Sequence, residues 1–371
     1  MFYLRHNLAD QRDSRGKRHD LAFVLTCTLL AICSGKVLVA EIARYLVHYH
    51  AVLCQLLDHE SPRPVSDPQL RRILSSVDAG DLEAFHCRYL AFRPLCLSEG
   101  TGWIGFDGKD LRGSIDAANG QRRNLCLVRA YLKGSSTSFG SRFYQGEKDS
   151  EIIEVRELLE TEGLCGGNLT FDALHCQTGT LEMVEGAGGT YIVQLKNNQK
   201  HLLEDVKDQF ALCRGTAPEI TEHDKGHGRA EVRHYRYCPI EPAALDGKWE
   251  GSGICGCVEV SRETVQIKTG KKTSETAYYL TNGGRLGIDR LAGAIRGHWG
   301  IESDNWIRDV TLREDKIKCS QPDRLKVLSV LVSTANSLIR RTQPVSVKAQ
   351  CEEISYCPEK AIQLFNVIPF L

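Results

Sequence analysis

The stretch Trp103-Ile-Gly-Phe-Asp-Gly-Lys109 marks where the hydrophobic pattern of this 371-residue chain changes from helical to strand spacing. Alternation along it sends Ile104 and Phe106 to one side and Asp107 to the other, which predicts a short strand over 103–106. Gly108, the next residue, allows close approach of a ligand or of another backbone segment. An aspartate is uncommon in a strand, so Asp107 is a candidate functional residue; the alternative is that it only caps a turn.

The residues after this stretch alternate between strand and helix patterns. Further strands are predicted at 125–132, 142–144, 169–174 and 191–195, with amphipathic helices at 150–162 and 178–185. The order is therefore βββαβαβ. A three-strand meander followed by such alternation predicts an α/β protein with a mixed sheet and helices on its faces.

The residues before Trp103 are helical in pattern. Apolar residues recur at helical spacing over 21–56, and Ser66 or Asp67 with Pro68 just inside predicts the start of another helix. These patterns predict an α-helical N-terminal domain over 1–98, with a loop at 94–102 as its boundary.

The pattern weakens after residue 196 and becomes helical again near the C-terminus. A helix at 202–212 and β-like runs at 229–237 and 254–267 predict a β-rich insertion over 197–275, followed by a strand at 277–280. Periodic segments at 288–309 and 324–341 predict long helices. We therefore divide the chain into 1–98, 99–196, 197–275, 276–341 and a tail over 342–371 with a short helix at best.

Composition excludes several classes of protein. Hydrophobic residues make up 42% and charged residues 25%, which argues against a disordered, collagen-like or coiled-coil chain. The 47 basic and 47 acidic residues balance, so a surface for nucleic acid requires that charge be segregated in the fold. Fifteen cysteines without a CxxC pair predict neither a zinc site nor a disulfide framework, and we expect reduced thiols in the cytoplasm. The longest apolar stretch, 21–33, is too short to span a bilayer, so no membrane partner is expected.

Two further acidic residues are candidates. Asp172 lies at the carboxyl end of the fourth strand, where open α/β sheets place their sites, unless it is only the N-cap of the next turn. Glu302 shares a helix face with Trp299 and Trp306 if the helix at 288–309 is continuous. A carboxylate on an apolar stripe is costly to bury unless it is paired or binds a cation; the alternative is a solvated helix face.

The three carboxylates can converge at one edge of the predicted sheet. Asp107, Asp172 and Glu302 would then repel one another unless a divalent cation neutralised them. Magnesium takes oxygen ligands and keeps waters, and two ions roughly 4 Å apart suit phosphodiester chemistry. We therefore expect two Mg²⁺, for which Mn²⁺ can substitute.

The motifs Phe106-Asp-Gly-Lys, Phe171-Asp-Ala-Leu-His-Cys-Gln and His298-Trp-Gly-Ile-Glu, followed by Asp309-Val-Thr-Leu-Arg-Glu-Asp, stand in the order found in a known family. The chain resembles the ISAs1 group of DDE transposases, which are related to IS4-type transposases and include the H-repeat-associated proteins. The resemblance runs from Asp13 to Arg341.

The resemblance implies an RNase H-like core whose sheet is interrupted by a β-rich insertion, with Asp107, Asp172 and Glu302 as catalytic, metal-binding acids. It implies metal-dependent cleavage of insertion-sequence ends and strand transfer into target DNA, by a homodimer in the synaptic complex, in the bacterial nucleoid. A catalytically silent DNA-binding remnant and an RNase H-like nuclease without strand transfer are the alternatives.

The resemblance also suggests which residues contact DNA, the helical N-terminal domain being the expected DNA-binding unit. IS4-type transposases carry a signature of basic residues around the third acid. Counted from Glu302, His298 takes the place of an arginine and Asp309 that of a lysine. Nearby basic residues would then have to supply the positive charge that contacts phosphate, unless they only form a solvated helix face. The predicted DNA-binding residues are Arg15, Lys17, Arg18, Arg71, Arg72, Lys109, Lys196, Arg296, His298, Arg313, Lys316 and Lys318.

Overall fold

The computed structural model describes residues 2–89, 102–132, 137–146, 148–213, 217–226 and 228–366. The predicted boundary loop at 94–102 lies outside these residues except for Gly102. The helices are α1 Phe2–Asn7, α2 Leu21–Cys33, α3 Val39–His48, α4 His50–Leu56, α5 Asp67–Ser75, α6 Ala79–Tyr89, α7 Lys148–Thr161, α8 Thr178–Gly186, α9 Lys200–Leu212, α10 Ile288–His298, α11 Gly300–Trp306, α12 Pro322–Arg341, α13 Val347–Tyr356 and α14 Pro358–Asn366. The strands are β1 Trp103–Asp110, β2 Leu125–Leu132, β3 Thr137–Gln145, β4 Asn168–Phe171, β5 Thr190–Leu195, β6 Glu219–Gly226, β7 Arg229–Pro239, β8 Gly256–Gln266 and β9 Lys272–Thr281.

The N-terminal region is helical, as predicted, and its helices start at capping residues. The Asp20 carboxylate accepts a hydrogen bond from the Phe23 backbone N–H at 2.6 Å, which satisfies a free donor at the start of α2. At α5, Gln69 accepts from the backbone N–H of Ser66, and Pro68 lies in the first turn.

Nine strands form a mixed sheet in the order β3-β2-β1-β4-β5-β9-β8-β7-β6. Strand β3 is antiparallel to β2, whereas β4 runs parallel to both β1 and β5. The order β3-β2-β1-β4-β5 is that of an RNase H-like core, which confirms the predicted fold class.

The β-rich segment after β5 extends this sheet. Strand β9 pairs antiparallel with β5, and β8, β7 and β6 follow outward as a meander. Strand β6 was not predicted from the sequence, because its residues are mostly polar and exposed. Pairing with β9 satisfies the backbone groups of β5, which would otherwise be a free sheet edge.

The chain divides into two compact units that are not continuous in sequence. The first unit contains residues 1–98, 108–151 and 301–371, and the second contains 99–107 and 152–300. In the first, α12 packs against α2, and Leu30, Leu70 and Leu328 are part of one apolar core. In the second, α10 contributes Leu291 and Ile295 to a core shared with the β7–β8 face.

Two predictions about the C-terminal third are wrong. The helix predicted at 288–309 is interrupted: α10 ends at His298, α11 begins at Gly300, and a π-helical turn covers Ile307–Thr311. Gly297 and Gly300 flank the break, and glycine favours helix ends over helix interiors.

The tail forms two helices where a short helix at best was expected. Ser346 caps α13 by accepting from the Ala349 backbone N–H, and Pro358 opens α14. Ile354 and Leu364 are buried in the core of the first unit. Their burial stabilises helices whose local sequence signal is weak.

A buried ion-pair network in the first unit joins Lys109, near the end of β1, to the turns between α11 and α12. Arg308 donates to Glu314 at 2.5 Å and to the Ser329 hydroxyl at 3.0 Å, and both charged side chains are almost completely buried. Lys109 pairs with Glu314 and with Asp309. Glu314 therefore accepts from two buried cations at once.

We expect Glu314→Gln to lower the free energy of unfolding by about 3 kcal/mol or more, because it leaves two buried cations with one anion fewer. Urea unfolding followed by circular dichroism measures the change. Glu352→Gln, the same substitution at an exposed position of α13, is the control and should change stability by less than about 0.5 kcal/mol. Equal stabilities for the two variants would show that the buried pair is not needed.

Candidate catalytic site

Strands β1 and β4 bring Asp107 and Asp172 to neighbouring positions in the second unit. Gly105 pairs with Thr170 in parallel register, and the rings of Phe106 and Phe171, one residue further along each chain, stack with centroids 5.3 Å apart. The backbone of Asp172 is still extended (φ −74°, ψ 178°). Each aspartate is the next residue after one of the stacked rings. Because side chains alternate along an extended chain, both carboxylates lie on the face of the sheet opposite the rings. The two aspartates predicted from the sequence thus share one edge of the sheet.

Asp172 also shapes the turn that follows β4. Its carboxylate accepts a hydrogen bond from the Leu174 backbone N–H at 3.0 Å, so the capping role considered from the sequence is present. The carboxylate remains partly exposed, with the His175 Nε2 3.9 Å away. Capping uses one lone pair of one oxygen and leaves the carboxylate able to bind a further ligand.

His298 lies against the same strand. Its Nδ1 and the Thr170 hydroxyl share a hydrogen bond of 3.0 Å. Burial lowers the pKa of His298 to about 4, although the nearby Asp172 carboxylate acts in the opposite direction. The imidazole is therefore neutral at neutral pH, which differs from the cation expected at the place of an arginine.

The turn after β5 reaches the same edge, because β5 runs parallel to β4. The Asn198 amide donates to the Ala173 carbonyl at 2.6 Å, and the Gln199 amide donates to the Cys176 carbonyl at 2.9 Å. These bonds fix the two turns to each other. Lys196, at the start of the second turn, is exposed and contributes to lowering the pKa of His298. It is the predicted DNA-binding cation at the aspartate edge.

Glu302 lies in the first turn of α11, in the first unit, and its side chain is exposed. The prediction of a carboxylate on an apolar stripe is wrong, because the break before Gly300 resets the helix phase; Trp306 is also 59% exposed. The buried carboxylate of α11 is Asp304, which accepts from Asn336 at 2.5 Å. Arg129 and Arg340 pair with it as well.

The oxygen donors at the aspartate edge fit magnesium, which binds through one or two carboxylates together with waters and substrate phosphates. Among the residues that the structure describes, no group of three or more His, Cys, Asp or Glu side chains is gathered closely enough to hold a metal ion. Asp107 and Asp172 are the two carboxylates that the parallel register of β1 and β4 places at this edge.

The predicted DNA-binding cations fall into two groups. Some take part in ion pairs: Lys109 is buried with its acids, Arg313 pairs with Glu41 at 2.7 Å, and Arg71 pairs with Asp67. Arg296 pairs with Asp224. Those on the surface are Arg15, Lys17, Arg18, Arg72, Lys196, Lys316 and Lys318.

Sequence reasoning missed two features of the second unit. One is His175, which is buried beside Asp172; its spacing of three residues from Asp172 within a turn was the available signal. The other is a group of arginines around Trp299, formed by Arg233, Arg262 and Arg296. No local pattern brings these residues together, because they come from three different elements.

The chain is similar to one protein family and to several known proteins. Residues 5–90 match a family described as DDE_Tnp_1-associated. The chain is 28% identical over 328 residues to "Putative protein YbfL" and to "H repeat-associated putative transposase YhhI", both of Escherichia coli strain K12. Each alignment covers 87% of this chain and 85% of the relative. The solved structure of a piggyBac transposase synaptic complex with hairpin DNA is similar with a TM-score of 0.42 at 10% identity, over 95% of this chain and 73% of that one.

The described part of the chain contains no helix that is both long and apolar enough to cross a membrane.

The low pKa of His298 predicts a pH-dependent stability. Between its ordinary pKa of 6.5 and the folded value of about 4, the unfolded chain binds a proton that the folded chain does not, so acidification favours unfolding. We expect wild type to lose up to about 3 kcal/mol more than His298→Gln between pH 7 and pH 4. Urea unfolding at both pH values measures this. His201→Gln, at an exposed histidine of α9, should behave as wild type; an equal loss in all three proteins would contradict the assignment.

Proposed function

We propose that this protein is a DDE-type transposase, which binds the ends of an insertion sequence and catalyses metal-dependent DNA cleavage and strand transfer. The observation that carries the proposal is the parallel register of β1 and β4, in which Gly105 is opposite Thr170 and each aspartate follows two residues later along the chain. Similarity to an H repeat-associated relative over most of the chain supports it.

In this proposal Asp107 and Asp172 hold the divalent cations, and Glu302 is the third acid. The assignment of Glu302 rests on its position in His298-Trp-Gly-Ile-Glu and on an exposed side chain free of burial cost. When bound, Mg²⁺ or Mn²⁺ supplies Lewis-acid stabilisation of the charge that develops on the phosphate oxygens.

The chain's own groups have three tasks around that centre. The Phe106–Phe171 stack and the paired strands fix the backbone positions of the two aspartates. Neutral His298 holds Thr170 and adds no positive charge that would compete with a metal ion. Lys196 is exposed at the same edge, and in this proposal it contacts a phosphate of the DNA strand.

We expect Asp107→Asn and Asp172→Asn each to lower DNA cleavage by roughly 100-fold or more, because a neutral amide is a poor ligand for Mg²⁺. The measurement is a cleavage and strand-transfer assay on DNA carrying the sequences that flank the coding region, with Mg²⁺ or Mn²⁺. DNA binding should be retained by both variants.

Asp208→Asn is the matched control, since Asp208 is an exposed aspartate of α9 in the same unit. It should cleave as wild type does. Cleavage that survives Asp107→Asn would overturn the proposal. Hydrolysis without strand transfer by wild type would indicate a nuclease, and binding without cleavage would indicate a silent remnant.

Glu302→Gln tests the third acid separately. We expect it to reduce cleavage as strongly as Asp107→Asn while leaving the thermal midpoint unchanged, because an exposed side chain contributes little to stability. Glu60→Gln, at an exposed glutamate in the same unit, is the control for the substitution. Full activity of Glu302→Gln, together with an inactive Asp107→Asn, would assign the third ligand elsewhere in the chain.

A further inference from the structure

We propose that Arg262, Arg296 and Trp299, with Arg233 beneath them, form a binding site for a phosphate of the nucleic-acid backbone. This inference rests on the proposed function, because it takes DNA as the ligand. The three arginine guanidinium carbons lie 4.8 to 5.5 Å from the centre of the Trp299 ring.

The site lies on one face of strands β7 and β8, at the place where the side chains of that face change from apolar to charged. Tyr235 on β7 pairs with Val260 on β8, and both contribute to the apolar core beneath α10. Arg233 precedes Tyr235 by two residues on β7, and Arg262 follows Val260 by two residues on β8. Arg233 and Arg262 therefore lie on the same face of the sheet and directly opposite each other. Like charges directly opposite each other across a sheet are destabilising. The fold therefore maintains a local conflict at this place.

Each of the three arginines has an acidic neighbour, but some of their buried N–H groups have no hydrogen-bond partner. Arg262 pairs with Glu275 at 2.6 Å, and Arg296 pairs with Asp224. Arg233 pairs with Glu231, and its Nη1 lies 3.8 Å from a carboxylate oxygen of Asp224. Its side chain is 2% exposed, and its Nε has no hydrogen-bond partner. The Nε of Arg262 is also buried without a partner. Buried donors of this kind cost free energy that an arriving anion can recover.

A phosphodiester is the anion that the proposed function would bring to this arrangement. Guanidinium groups bind phosphate oxygens in a planar, two-pronged geometry, and the partly exposed Arg296 and Arg262 offer such edges. Arg233, which is buried, adds positive potential from below.

The test uses the full chain and a fluorescein-labelled DNA duplex of random sequence, with binding measured over a range of salt concentrations. Arg262→Gln should weaken binding at every salt concentration and reduce the slope of log affinity against log salt by about 1. Its thermal midpoint should stay the same or rise, since the substitution removes the repulsion between Arg233 and Arg262. Arg262→Lys keeps the charge and should retain the wild-type salt slope.

Arg285→Gln is the control, because Arg285 is an exposed arginine of the same unit outside the cluster. It should leave the slope and the thermal midpoint unchanged. A wild-type slope for Arg262→Gln would overturn the inference, as would a fall in thermal midpoint that accounts for the lost affinity. If wild type binds no DNA at all, the proposed function fails; if wild type binds and cleaves while Arg262→Gln equals it, only this inference fails.

Discussion

The parallel pairing of β1 with β4 is the constraint on which the candidate site depends. Gly105 opposite Thr170 sets the register, and the stacked rings of Phe106 and Phe171 hold it. Because side chains alternate, a slip of one residue would send one aspartate to the other face of the sheet. Burial of both rings makes such a slip costly, so apolar packing determines where the two carboxylates lie.

The chain has equal numbers of basic and acidic residues, and the fold buries some of these charges and leaves others exposed to a ligand. Inside the first unit, the cations Lys109 and Arg308 are balanced by the anions Glu314 and Asp309. Lys196 and Lys316, by contrast, are exposed. A chain with zero formal charge can present a basic surface only where such exposed cations lie apart from acidic side chains.

The features predicted correctly from the sequence are those that depend on residues close together in the chain. Ser66 with Pro68 marked the start of a helix, and the alternation around Phe106 marked β1, because capping and side-chain alternation depend on residues close in sequence. The exposure of Glu302 was not predictable in this way, since a short break before Gly300 shifts the phase of every later residue. The pairing of β9 with β5 was also hidden, as it depends on residues about 90 positions apart.

The second unit places like charges on neighbouring strands at two places, and the proposed function has one kind of ligand for both. Asp107 and Asp172 bring negative charge together on adjacent strands, whereas Arg233 and Arg262 bring positive charge together across another strand pair. Natural sequences tolerate such local conflicts mainly at functional sites. A metal cation resolves only the first, and a free anion only the second. Under the proposed function, a nucleic-acid strand that carries a divalent cation on its phosphates would supply both charges, whereas metal binding or anion binding alone would use only one of the two places.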